Sequence, residues 1–199
     1  MKKILWIDME MTGLNDQTDS ILEVAATVTD LDFNPKEEFH RVVFQPPEIL
    51  EKMDDWCKKT HQASGLSAGI PRGLPLEKVE EELLAFIDKH YQKNQNVVIA
   101  GNTVGNDKRF IDRLMPRLGK RLHYRIIDVS SFKEIFRNKY GVEFEKKKVH
   151  RAVDDVKESI EELKAYLQYV TPPPPKAKPE TRSDSPAARR ILPAKNHPR

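Results

Sequence analysis

The chain has 199 residues, 38% hydrophobic and 33% charged, with a formal net charge of +3, enough for one ordinary domain with a sizeable core. No apolar run approaches the ~18 residues of a membrane span, and the N-terminus lacks a signal-peptide pattern. A single cysteine, Cys57, excludes an internal disulfide and a thiolate metal cluster, so a reducing cytoplasm is the expected compartment.

The first element is the run Ile4-Leu5-Trp6-Ile7, apolar and of strand length, which stops at a Thr12-Gly13 turn signal and reads as a buried strand. Asp8 and Glu10 stand at its end. Strand side chains alternate faces, so these two acids project side by side. Like charges so placed repel unless a cation sits between them, and oxygen-only ligands suit hard divalent ions such as Mg²⁺ or Mn²⁺. A frayed strand end with two hydrated acids is the plain alternative.

Ser20 to Asp30 reads as a second strand and Phe39 to Phe44 as a third, joined by short connections and hence antiparallel. Glu48 to Thr60 has Leu50, Met53 and Trp56 at helical spacing, and His61 to Pro75 reads as a loop. Leu76 to Tyr91 is an amphipathic helix with a stripe of Leu76, Val79, Leu83, Leu84, Phe86 and Ile87. Val97 to Ala100 is a short apolar strand followed by a small-residue loop and a helix over about 108–115, the signature of an α/β crossover. Arg125 to Val129 is a further strand, after which Ser130 or Ser131 caps a helix to about Asn138. Glu143 to Val149 reads as a basic loop, and a last helix runs to about Val170 with Val156, Ile160, Leu163 and Leu167 on its apolar face. The expected architecture is α/β: a mixed five-stranded sheet, three strands antiparallel and the rest parallel, flanked by helices. Residues 1–170 form the expected domain. Pro172 to Pro175 end it, and 171–199 reads as a disordered, proline-rich tail whose seven basic and two acidic residues leave the body at about −2.

Three places hold acids at element ends: Asp8 with Glu10, Asp107, and Asp155 with His150 five positions before it. Singly, Asp107 could complement a helix dipole and Asp154 or Asp155 could cap the last helix. Jointly they lie where an open α/β sheet keeps its functional crevice. Four carboxylates can hold two divalent ions about 4 Å apart for in-line phosphoryl displacement, and a histidine can take the proton of an attacking water at neutral pH.

The stretches Trp6 to Leu14, Gly101 to Phe110, His123 to Ser131 and His150 to Ser159, with Asp54-Asp55-Trp56 upstream of Thr60-His61, together resemble oligoribonuclease, a DEDDh-type 3′→5′ exonuclease with a ribonuclease H-like fold. The resemblance spans roughly Ile4 to Tyr169. It implies Asp8, Glu10, Asp107 and Asp155 as ligands of two Mg²⁺ or Mn²⁺ ions and His150 as general base, with Asp154 left to cap the helix. It implies very short RNA, above all dinucleotides, as substrate: Leu14 wedged between two bases, Trp56 and His61 offering flat faces, the backbone of Met11 and Thr12 on the 3′-terminal ribose, and Thr103, Tyr124, Arg125, Ser130 and Ser131 gripping a 5′ phosphate. The resemblance further implies that part of that cap, Tyr124 and Arg125, comes from the second subunit of a homodimer. Two other readings compete: a proofreading-type DNA exonuclease with the same acids, and a non-catalytic RNA-binding module on a nuclease fold. Core packing for Trp56 and an ion pair of Arg125 with Asp128 are the bland alternatives for those two residues.

Overall fold

The computed structural model describes residues 2–145 and 151–171. Its centre is a five-stranded sheet made of β1 (Lys3–Met11), β2 (Ile21–Asp30), β3 (Pro35–Val42), β4 (Val97–Gly101) and β5 (Leu122–Asp128), in the order β3-β2-β1-β4-β5. β1 pairs antiparallel with β2, and β2 with β3; β1–β4 and β4–β5 are parallel. The predicted mixed sheet is thus borne out. β1 runs through both acids to Met11, and a register shift between Glu10 and Met11 ends its regular pairing. β3 starts at Pro35, earlier than its weak alternation suggests.

Around the sheet lie α1 (Pro47–Leu50), α2 (Asp55–Ala63), α3 (Leu66–Gly69), α4 (Leu76–His90), α5 (Gly105–Leu114), α6 (Pro116–Arg121), α7 (Val129–Ile135) and α8 (Ala152–Leu167). The period-two alternation of β1 divides the core. Leu5, Ile7 and Met9 face a layer with Val79, Leu83, Phe86 and Ile87 of α4 and Phe110 and Ile111 of α5. Ile4 and Trp6 face the opposite layer with Val156, Ile160, Leu163 and Tyr166 of α8. Trp6 is fully buried, and its indole N–H donates to Thr29 Oγ1 at 3.0 Å, so burial leaves no orphan donor. A Cβ on Gly101 would lie 2.6 Å from the Ile7 carbonyl, so only glycine lets β4 end this close to β1.

Several expected boundaries are corrected. The helix read over Glu48–Thr60 is two helices, because the Asp54 carboxylate accepts the Cys57 amide at 2.7 Å and starts a new one. The loop read over His61–Pro75 holds the end of α2, α3 and a 3-10 turn over Ile70–Arg72. Pro116 separates α5 from α6, which was not foreseen. α7 is capped by Asp128, which accepts the Ser130 amide, and not by a serine. Asp154 does not cap α8 either: the N-cap is Arg151, with no cap from its own side chain. Among the described residues no helix is long and apolar enough to cross a membrane.

Candidate functional site

Asp8 and Glu10 share the face of β1 that carries Ile4 and Trp6, the face packed against α8. Asp155 lies in the first turn of α8. One carboxylate oxygen of each of these three acids falls within 4.8 Å of the other two. Burial pushes the Glu10 carboxyl up to about 8, Asp155 and Glu23 push it the same way, and the charge of Arg151 opposes them. Three acids crowded this closely, one held in its neutral form, are a set of hard oxygen donors short of positive charge, which fits a divalent cation.

Asp107, in the first turn of α5, is buried and stands outside that triad. Burial raises its carboxyl, as do the charges of Glu10 and Asp128, while the amides of Asp107 itself and of Met9 donate to it and restrain the rise. It therefore feels the same acidic field from the first turn of α5.

Next to Glu10 opens a cavity of about 330 Å³ lined by Met9, Met11, Leu14, Trp56 and His61 among others. Leu14 is 74% and Trp56 63% exposed, which rules out the core-packing role for Trp56 and leaves both apolar surfaces facing the opening. His61 is buried in α2 instead of opening a loop. Its Nε2–H donates to the Met11 carbonyl at 2.9 Å, while Nδ1 lies 3.9 Å from Glu10 Oε2 and has no hydrogen-bond partner among the described residues. It lines the cavity beside the acids. Thr12 is buried: its hydroxyl donates to Asp19 at 2.9 Å and accepts the Ser20 amide, and its own amide donates to Ser20, so it organises the turn.

A second polar group surrounds Thr103, whose φ of 51° is left-handed. Its amide donates to Asp128 Oδ1 at 3.0 Å and to Ser130 Oγ at 2.9 Å, and the two hydroxyls are 2.9 Å apart. Ser131 is exposed beside them in α7. Tyr124 and Arg125 are exposed on β5, the edge strand, where the guanidinium lies over the tyrosine ring at 5.1 Å. Arg125 makes no ion pair with Asp128, and neither residue reaches Thr103 or Ser130 by a hydrogen bond.

Residues 5–163 match the exonuclease family. This chain belongs to that family. It is 42% identical over 175 residues to "Oligoribonuclease, mitochondrial" of Homo sapiens, covering 85% of this chain and 73% of that one. It is 44% identical over 169 residues to "Probable oligoribonuclease" of Dictyostelium discoideum, covering 83% and 88%, and 40% identical over 170 residues to "Oligoribonuclease" of Francisella tularensis, covering 83% and 94%. Among solved structures, Escherichia coli exonuclease I in complex with single-stranded DNA superposes with a TM-score of 0.66 at 13% identity, over 85% of this chain and 41% of that one. Exonuclease I from Methylocaldum szegediense gives 0.60 at 16% identity, over 84% and 40%. The chain spans about two fifths of the length of these exonuclease I chains, and the likeness to them is one of fold.

In this exonuclease Asp8, Glu10 and Asp155 come together, Asp107 stands apart from them, and His150 lies outside the described residues. Two participants were not foreseen. Asp128 and Asn102 scaffold the Thr103–Ser130 pair: Asn102 accepts from the Ser130 hydroxyl at 3.3 Å, and its own amide donates to Ser159 and Glu162 of α8, both at 2.9 Å. The Asn102-Thr103-Val104-Gly105 loop signalled a crossover, but nothing in its spacing announced the tie to α8. Gly13 gives a direct test of the Leu14 turn. A Cβ there would lie 2.6 Å from Asp19 Oδ2, which accepts the Asn15 amide. Gly13→Ala is expected to break that turn and to cost about 1–3 kcal/mol, read by thermal unfolding.

Proposed function

We propose that this exonuclease hydrolyses very short RNAs from the 3′ end, above all 5′-phosphorylated dinucleotides, and releases nucleoside 5′-monophosphates. The observation that carries the reading is the meeting of Asp8, Glu10 and Asp155 within 4.8 Å, with Glu10 also lining a cavity bordered by Leu14 and Trp56. In this reading Asp8, Glu10, Asp155 and Asp107 hold two Mg²⁺ or Mn²⁺ ions. Bound there, such ions supply an activated water and charge stabilisation for the attacking and leaving oxygens. Leu14 and Trp56 hold the bases, with stacking worth about 1–3 kcal/mol per base. His61 fixes the Met11 carbonyl and the Glu10 flank of the pocket, and the backbone at Met11 and Thr12 meets the ribose. His150 takes the proton of the attacking water.

The same reading closes the far end of the site with a phosphate grip built from Thr103, Ser130 and Ser131. Tyr124 and Arg125, set on the exposed edge strand away from that pair, serve the partner's site in a homodimer, where a guanidinium suits a terminal phosphate. The catalytic domain is taken as 1–170, and 171–199 as a basic accessory segment in a protein of the reducing cytoplasm. Residues 172–199 lie outside the described residues.

A proofreading-type DNA exonuclease shares the acids but needs an open groove. A purely RNA-binding module is disfavoured by the triad itself, since carboxylates without cations repel a phosphate backbone. Turnover measured across 5′-phosphorylated RNAs of increasing length is expected to peak at two nucleotides and to fall about tenfold or more by five, because a built phosphate site penalises a substrate that cannot fill it. Rates independent of length, or equal rates on long single-stranded DNA, would overturn the capped site.

A further inference from the structure

Among the buried acids that the nuclease chemistry does not use, Glu23 lies nearest the metal candidates in the sheet register. Glu23 of β2 is fully buried and stands directly opposite Glu10 in the β1–β2 register. Its carboxylate accepts hydrogen bonds from three directions. His40 on β3 donates from Nε2 at 2.7 Å. Arg151 donates from Nη2 at 2.6 Å and from Nε at 3.0 and 3.2 Å to the two oxygens. The backbone amide of Ala152, the first residue of α8, donates at 3.0 Å. Burial opposes ionisation, but these donors hold the carboxyl down at about 2, so it is charged at any working pH.

The first turn of a helix exposes amides with no partner inside the helix, and a Ser, Thr, Asp or Asn at the N-cap commonly serves them. α8 has Arg151 at that position, and the Arg151 side chain makes no cap. The carboxylate comes instead from a strand on the far side of β1's acids. Arg151 in turn accepts the amides of Asp154 and Asp155 on its carbonyl, each at 2.9 Å. One rigid path therefore runs from the Glu23 carboxylate through Arg151 to the backbone of Asp155.

We propose that Glu23 is a positioning residue for the metal centre: it caps α8 from β2 and clamps Arg151, so that the first turn of α8 presents Asp155 to Asp8 and Glu10. This rests on the reading of those three acids as ligands of divalent ions. The structure also supplies a matched comparison. Glu80, buried on α4, caps α6 in the same manner, accepting the Arg117 and Leu118 amides at 2.8 and 3.0 Å and Arg117 Nε at 2.8 Å. α6 carries none of the proposed site residues.

The test uses the full chain, well below its melting temperature, with Mn²⁺ alone in calorimetric titration and a 5′-phosphorylated diribonucleotide in kinetics. Glu23→Gln is expected to weaken Mn²⁺ binding and to lower kcat by about 10–100-fold, the usual range for partners of metal ligands, with KM nearly unchanged. Glu80→Gln removes an equivalent buried cap and is expected to leave both near wild type. If Glu23→Gln does not fold, Arg151→Lys, which keeps the charge but loses the planar fork, should show the same pattern at smaller size. Wild-type Mn²⁺ affinity and kcat in the Glu23 variant, or equal losses in the Glu80 variant, overturn the positioning role. Mn²⁺ binding that is indifferent to Glu10→Gln overturns the assignment of the acids themselves, and the positioning role with it.

Discussion

Glu10→Gln is expected to make the metal-free protein more stable and the enzyme nearly inactive. The side chain keeps its shape but can no longer carry charge. At neutral pH burial and the neighbouring acids already hold Glu10 protonated, with its carboxyl raised from 4.5 to about 8. A carboxyl whose pKa is raised by folding contributes stability that is full below pH 4.5 and is lost as pH climbs through about 8, because the folded state then binds more protons than the unfolded one. The metal-free wild type should therefore lose on the order of a few kcal/mol across that window, and the Gln variant should lose much less. Glu23 acts in a separate window: its carboxyl, lowered to about 2, contributes stability present above pH 4.5 and lost as pH falls toward 2. In the proposed reading, Mn²⁺ binding to the folded, ionised site should restore wild-type stability at pH 8 by mass action, with little effect on Glu10→Gln. Cleavage of a diribonucleotide should fall by about 10³-fold or more when one of the ligands of a two-metal site is removed. Melting curves from pH 4 to 9 with and without Mn²⁺, set beside single-turnover rates, check both halves. A variant that is less stable than wild type at pH 8.5 without metal would contradict the crowding of charge.

What could be read from the chain depended on how local the physics was. Asp8 and Glu10 were legible because a strand's period of two puts residues i and i+2 on one face whatever lies around them. The stripe of α4 was legible for the same kind of reason, and Val79, Leu83, Phe86 and Ile87 are all buried as that spacing requires. The segment 48–60 misled because Leu50, Met53 and Trp56 fit one helix by spacing, while a single side chain, the Asp54 carboxylate on the Cys57 amide, restarts the helix and turns Trp56 outward. His61 was misjudged for a related cause: once α2 runs on past Thr60, its ring is carried inward to the Met11 carbonyl. Glu23 was invisible. It sits inside an apolar run, where an acid looks like an interruption, and its partners His40 and Arg151 are 17 and 128 residues away. A buried carboxylate announces a partner but not which one, and only the closed sheet brings β2 to the start of α8.

Asp155→Asn and Asp107→Asn are expected to fail in different ways, and the difference follows from where the two carboxyls lie. Asp155 is one of the three acids within 4.8 Å of each other, so neutralising it removes a charge from the centre of the cluster. Asp107 is buried outside that set, with its carboxyl on the amides of Met9 and of its own residue. Mn²⁺ titration should therefore show Asp155→Asn losing about 100-fold or more in its tightest binding, while Asp107→Asn keeps one ion and loses the weaker one. Both should be slow, by about 10²-fold or more, since in-line displacement between two ions needs both the attacking and the leaving oxygen stabilised. Raising Mn²⁺ should recover part of the rate in Asp107→Asn, where the first ion remains and mass action can refill the second place, and recover little in Asp155→Asn. Identical titrations for the two variants would mean that the four acids act as one indivisible site, and the division of labour between triad and Asp107 would have to be abandoned.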